Sequence, residues 1–328
     1  MKPITAPYPD VPGFIYGCTR EIWEERGVGA KLARYYAEDC LVRAPSGLTT
    51  SMRGVAADTL ATLHQFPDRE LVGEDVIWDD GGDGSFLSSH RLISVMRHLG
   101  DGSFGPATGA LVKSRIIADC WVERGVITEE WLVRDGAAFA RSLGMAPRDL
   151  AARLCDQDRA AGRPVGFFTP AQDRVGRYRP VVADDPAVAI VVAAYAAIWG
   201  GNTPAAIRDF YFPGVAVALP GGDVANGVTE LDRFVVGLLA SIPDARLSIH
   251  GATVNREPER PVRVAVRWSL DGAHTGWGRF GAPSGAPVHV MGMSHVHVSA
   301  ESITAEWFLI DEVSIWKQIL SRTGERPG

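Results

Sequence analysis

Two aspartates, Asp135 and Asp311, each follow a tryptophan by four residues (Trp131 and Trp307) at the end of a segment in which apolar and polar residues alternate. In a strand that spacing sets carboxylate and indole on one face. Water-poor surroundings lift a carboxyl toward neutrality, where it can take a proton alpha to a carbonyl or return one. The competing reading is structural, because residues 136–142 and 312–320 read as helices and Asp is a favoured N-cap. The strand before Asp311 adds imidazoles: His289, Met291, Met293, His295 and His297 share one face, and Val288, Val290, Gly292, Ser294, Val296 and Val298 the other. In the first half of the chain the corresponding positions hold Lys113, Arg115, Ile117, Asp119 and Trp121. Imidazoles on one face, with His274, could converge on zinc, but no cysteine or carboxylate stands at a ligand spacing and no metal is expected. The plain alternative is that this face meets a neighbouring domain or subunit, since the opposite face is small and apolar enough to be core.

These residues sit in a sequence written twice. Residues 98–110 (HLGDGSFGPATGA) and 274–286 (HTGWGRFGAPSGA) agree at seven of thirteen positions, at an offset of 176. The same offset aligns ITEEWLVRD (127–135) with ITAEWFLID (303–311), Phe66-Pro67-Asp68 with Ile242-Pro243-Asp244, and Arg91 with Arg267. A constant offset over separate windows marks duplication. Between the copies, residues 164–185 carry three prolines and no periodicity, which predicts a linker. The expected division is domain one over 1–162, linker 163–185 and domain two over 186–320.

In each copy helices precede strands. Residues 186–199 predict a long apolar helix, Thr203-Pro204 a helix start, and Thr229 with Asp232 a capping box ahead of Leu231, Phe234, Val235 and Leu238. Copy one repeats the order with helices over 31–38 and 55–64, and 147–161 reads as an amphipathic tail. The stretches 263–269, 288–298 and 304–310 alternate as antiparallel strands do. Helices grouped before strands predict an α+β class.

Two motifs invite a different reading. Gly100, Gly102 and Gly105, and again Gly276, Gly278 and Gly281, spell GxGxxG, but they lead into strands where a dinucleotide site needs a helix. Residues 79–84 (DDGGDG) resemble a calcium loop until its twelfth position, which is His90 and not Glu. Both predict tight hairpins, and no nucleotide cofactor is expected.

The series His98, Gly100 and Gly102, then Thr108-Gly109, then Glu130-Trp131 and Asp135, repeated as His274, Gly276 and Gly278, Ser284-Gly285, Glu306-Trp307 and Asp311, resembles the SnoaL-like polyketide cyclase family. The resemblance implies two tandem nuclear-transport-factor-2-like cones, each a curved, mainly antiparallel sheet (an α+β barrel) wrapped around its N-terminal helices with an apolar pocket between. It implies ring closure by intramolecular aldol condensation without metal or cofactor, through an Asp acid/base helped by a His. Carried onto this chain, the catalytic residues are Asp311 and His297, with Asp135 the counterpart in copy one, where Trp121 replaces the helping His. Copy two is thus expected to be the active one. Residues expected to bind substrate are His274, Arg267, His295, Trp307 and Trp199 in copy two, and His98, Arg91, Asp119 and Trp131 in copy one. A structural clasp of the hairpin is the alternative for His98 and His274, and a bulky core for the tryptophans.

Composition narrows the partners. Of 328 residues 46% are hydrophobic and 22% charged, and the net charge of −6 leaves no basic stripe for a phosphate backbone, so no nucleic acid is expected. The longest apolar stretch, 187–199, is shorter than the roughly 20 residues that span a bilayer. No secretory signal is read in the first ten residues, and the cysteines Cys18, Cys40, Cys120 and Cys155 show no CxxC spacing, so a cytoplasmic protein with buried thiols is expected. The two copies are expected to pack as a pseudo-dimer within the chain, with a homodimer left open. The function expected is a cofactor-independent cyclase, lyase, isomerase or hydrolase acting on a carbonyl-bearing small molecule, the alternative being a binding protein with two cone pockets and no turnover.

Overall fold

A computed structural model, describing residues 2–323, resolves the chain into two six-stranded sheets, each curled around its own helices. The first domain runs α1 (Val11–Thr19), α2 (Ala30–Tyr35), β1 (Tyr36–Ala44), β2 (Gly47–Thr49), α3 (Met52–Gln65), β3 (Glu70–Gly82), β4 (Ser85–Arg97), β5 (Leu111–Glu123), β6 (Val126–Arg134), α4 (Gly136–Ser142) and α5 (Pro147–Ala160). The second runs α6 (Pro186–Tyr195), α7 (Ile207–Phe210), β7 (Tyr211–Ala218), β8 (Val224–Asn226), α8 (Val228–Ser241), β9 (Arg246–Asn255), β10 (Val262–Ala273), β11 (Pro287–Ser299), β12 (Ser302–Ile310) and α9 (Glu312–Thr323). The strand orders, β2-β1-β6-β5-β4-β3 and β8-β7-β12-β11-β10-β9, are the same, and in each sheet only the first and last strands pair in parallel. Register repeats with the sequence: Arg91 faces Ile117 as Arg267 faces Met293, and Asp119 faces Trp131 as His295 faces Trp307. The α+β class and the tandem cones expected from the repeat are what the chain forms.

Local expectations fare unevenly. Helix α6 continues as a π turn, Ala196–Gly200, that carries Trp199, and α1 ends in the equivalent turn, Arg20–Glu24, carrying Trp23. The capping box of Thr229 and Asp232 does not form. Instead Gly227, at φ 81°, starts α8 directly from β8, and Glu230 accepts the Asn226 N–H at 2.7 Å. Helix α2 stops at Tyr35, short of its predicted end, because Tyr36 is already buried in β1.

The glycine motifs close hairpins. Gly102 and Gly105 exchange backbone hydrogen bonds of 3.0 and 2.9 Å, and β5 follows. A side chain on Gly100 would lie 2.2 Å from the His64 carbonyl oxygen, and one on Gly276 2.0 Å from that of Ala240. Glycine is thus required where the hairpin crosses the end of α3 or α8. Nicotinamide and flavin nucleotides should leave the melting temperature of the dialysed protein unchanged; a specific rise at micromolar nucleotide would contradict this reading.

The outer faces of the two sheets meet. Ile117 and Val133 of one pack with Met291, Met293 and Leu309 of the other and with Phe168. Around this patch the repeat builds reciprocal contacts, with the Arg91 guanidinium 3.6 Å over the Trp307 ring and the Arg267 guanidinium 3.7 Å over Trp131. Arg267 pairs with Asp119 at 3.1 Å, Arg91 with Glu74 at 2.9 Å, and Ser89 Oγ lies 2.9 Å from His295 Nε2. The segment predicted as a linker is part of this packing. Phe168 and Tyr178 are buried, the Arg174 carbonyl accepts from Arg43 at 2.6 Å, and Val182 bridges in parallel to Ala252. Among the described residues no helix is long and apolar enough to cross a membrane.

Candidate functional site

The two cones differ inside. In the second, Trp268 stacks between Trp199 (6.3 Å, 10°) and Phe308 (4.9 Å, 37°), Phe234 closes on Phe308 at 5.4 Å, and all four rings are buried. Trp268 has room because residue 292 is glycine, whose Cβ would lie 2.2 Å from the indole. Beneath the rings, Glu306 accepts hydrogen bonds from the phenols of Tyr195 and Tyr211, the latter at 2.7 Å. This cone is packed.

The first cone holds a cavity of about 610 Å³ that is partly open to solvent. At the positions 176 earlier, Trp268 becomes Leu92, Phe308 becomes Leu132, Phe234 becomes Asp58 and Tyr195 becomes Thr19, all of which line the cavity. Polar residues also replace apolar ones: His90 stands for Val266, Ser94 for Leu270, Thr59 for Val235, Thr62 for Leu238 and Arg134 for Ile310. Losing aromatic volume opens the space, and these substitutions equip it. Strand alternation aims His90, Leu92 and Ser94 of β4, and Glu130, Leu132 and Arg134 of β6, at the same interior.

Burial governs the charges there. It pulls His90 down to about 4, leaving a neutral imidazole at pH 7. It raises the Glu130 carboxyl, against the Tyr36 phenol that donates to it at 2.8 Å. Arg134 is pulled down by burial and steadied by the negative charges of Glu130, Asp311 and Asp58.

Asp311 belongs to the second domain but lines the cavity of the first. Its Oδ1 accepts the Val313 and Ser314 N–H groups of α9 at 3.0 and 3.4 Å, so the capping reading of this residue holds; among the described residues no hydrogen bond engages Oδ2. Burial raises the carboxyl to about 7, and the nearby charge of Asp135 adds to the rise.

Asp135 differs. Its two oxygens accept from Ala138 N (2.9 Å), Gly221 N (2.8 and 3.0 Å) and Gly222 N (3.2 Å), which caps α4 and ties it to the β7–β8 turn. Three backbone N–H groups thus hold both oxygens of Asp135, but the residue also lines the cavity and burial raises its carboxyl, so a structural role stands beside the catalytic one expected for it. Asp135→Asn should turn an amide donor toward these N–H groups and cost about 2 kcal/mol in chemical denaturation.

Residues 189–319 match the sequence profile of the SnoaL-like polyketide cyclase family. The second domain is thus similar in sequence to that family, and the first repeats its strand order and motifs. No curated protein matches the chain. Solved structures that resemble it include IdmH from Streptomyces antibioticus, assigned as a polyketide cyclase (20% identity, TM-score 0.36, 42% of this chain and 100% of that one). A protein from Jannaschia sp. CCS1, assigned as a SnoaL-like polyketide cyclase, has 19% identity and TM-score 0.37 over 44% of this chain and 97% of that one. AclR from Streptomyces galilaeus, assigned as a hydroxylase, has 19% identity and TM-score 0.35 over 43% and 87%.

The other expected site residues are dispersed. His297 meets Trp307 edge-on at 4.9 Å on the outer face of β11, away from the packed cone, and His295 lies on the same face. The inward turn of Ser294 and Val296 dictates this, since neighbours in a strand point oppositely. Arg91, Arg267, Asp119, Trp131 and Trp307 are likewise held between the domains, and burial keeps His295 neutral. His98 and His274 clasp their hairpins, with Nδ1 3.2 Å from Thr108 Oγ1 and 3.0 Å from Ser284 Oγ. Trp199 is core. Among the described residues no three His, Cys, Asp or Glu side chains gather as metal ligands. The sequence reading passed over Asp58, Arg69, His90 and Arg134. Their signal was in the same repeat, at positions where the copies disagree.

Proposed function

We propose that the first domain's cavity is the active site of a cofactor-independent acid–base enzyme acting on a carbonyl-bearing small molecule, with Asp311 as the base. The observation that carries this is the pairing of a cavity, opened by loss of aromatic volume, with a carboxyl raised to about 7 at its wall. In this reading Asp311 Oδ2 takes a proton from the carbon alpha to a carbonyl. Arg134 and the neutral His90 then stabilise the enolate oxygen as charge develops on it. The enolate carbon attacks a second carbonyl of the same molecule and Asp311 gives its proton to the alkoxide so formed, or, where a double bond is conjugated with the enolate, Asp311 returns the proton to the far carbon of that dienolate. Ring closure and isomerisation therefore share one constellation. The apolar wall of Leu92, Ile116 and Leu132 suits a ring system.

The experiment is α-proton exchange. Bicyclic aromatic ketones such as 1-tetralone, incubated with the protein in D2O and followed by NMR, should lose their α-protons faster than in buffer. Leu132→Phe, which restores the residue of the packed cone, should abolish the acceleration. A binding protein without turnover is favoured by the engagement of Asp311 Oδ1 as a cap; binding of these ketones without accelerated exchange would establish that reading instead.

A further inference from the structure

We propose that the ligand of this cavity carries a carboxylate on its apolar ring system, and that Arg69 and Arg134 hold that carboxylate; this rests on the cavity being the small-molecule site argued above. Both arginines line the cavity, Arg69 from the turn before β3 and Arg134 from the end of β6. Arg134 is exposed and Arg69 half-buried, and among the described residues neither forms a salt bridge, whereas the fully buried arginines, Arg43, Arg91, Arg263 and Arg267, each have a carboxylate partner. Arg69 spends one donor, Nε, on Ser94 Oγ at 3.3 Å.

The repeat makes the comparison internal. In the packed domain the two positions are Ala245 and Ile310, both buried and apolar. The cations therefore occur only in the copy that has the cavity. They are near enough for Arg134 to disfavour the charge on Arg69, which burial pulls down to about 9. Two neighbouring cations that face one cavity form a site for an anion that enters it.

The carboxyls around Arg134 are otherwise engaged. Glu130 takes the Tyr36 phenol, Asp58 takes the Thr49 hydroxyl at 3.3 Å, and Asp311 caps α9. A guanidinium fork matches the two oxygens of a carboxylate. The surrounding carboxyls disfavour a dianion, which selects a carboxylate over a phosphate monoester.

The test is calorimetric titration of the full chain at pH 7.5 with 1-naphthoate, 1-naphthamide and 1-naphthyl phosphate. Naphthoate should bind at least about tenfold more tightly than the amide, the effect of one good charge-assisted contact. Arg69→Met should remove that preference while leaving the affinity for the amide unchanged, and Arg134→Met should weaken binding of the acid more than that of the amide. Both variants should remain folded, Arg69→Met losing only the Ser94 hydrogen bond. Equal affinity for acid and amide, or a preference that survives both substitutions, overturns the proposal and leaves the Asp311 chemistry standing. Tighter binding of the phosphate overturns the choice of carboxylate. Failure of all three ligands to bind overturns this proposal and the function it rests on together.

Discussion

Asp311→Asn should lower the ketone α-proton exchange by at least about 100-fold while the protein stays folded, because positioned proton transfer contributes roughly 10²–10⁴. The amide keeps an oxygen to accept the Val313 N–H, so α9 retains its cap, but it cannot take a proton at a useful pKa. In the wild type the exchange should rise with pH through about 7, as the carboxyl ionises. Stability should move the other way. The folded-state value of about 7 lies above the ordinary 3.8, so the native state holds a proton that the unfolded chain releases between those values. The contribution is full below pH 3.8 and is lost as pH rises through about 7. From pH 5 to 8 the wild type should lose of order 2 kcal/mol relative to Asp311→Asn, less than the full shift implies because the cavity admits solvent. Denaturation curves of both proteins across that range check the sign. A variant that exchanges at the wild-type rate and melts lower would make Asp311 a cap alone.

Trp268→Ala should be the most damaging single substitution in the second cone. It removes an indole stacked on Trp199 and Phe308 over Gly292, and such truncations cost about 3–5 kcal/mol. Urea unfolding should show the loss, and the surviving folded protein should retain α-proton exchange because its cavity lies in the other domain. Loss of exchange in a folded variant would instead assign the second cone a part in the chemistry.

Much of the architecture was legible because it depends on periodicity and repetition. Alternation in 288–298 named the two faces of β11, and the offset of 176 carried the register of β3–β6 over to β9–β12. What alternation cannot do is say which face looks inward, and both faces of β11 carried plausible arguments. The imidazoles drew the chemical reading toward copy two, although Val288, Val290 and Val296 were the inward set. Similarity between copies was used to find the fold, whereas difference between them locates the cavity. Leu92 opposite Trp268 and Leu132 opposite Phe308 are changes of volume, and Arg134 opposite Ile310 is a change of charge, readable without coordinates once the copies are aligned. The reach of Asp311 into the other domain was not readable, since it depends on how α9 docks against Pro45, whose carbonyl accepts from Ser314 Oγ.

That docking gives the duplication a direction. Asp311 and Asp135 are equivalent residues and both line the first domain's cavity, but Asp311 reaches it from the other domain while Asp135 is held by the backbone of Gly221 and Gly222. The two halves are therefore not interchangeable parts: the chamber of one is walled in part by an aspartate of the other. On the proposed function, severing the chain in 163–185 would part Asp311 from the cavity it lines, and mixing the fragments would amount to complementation between two copies of one ancestral domain.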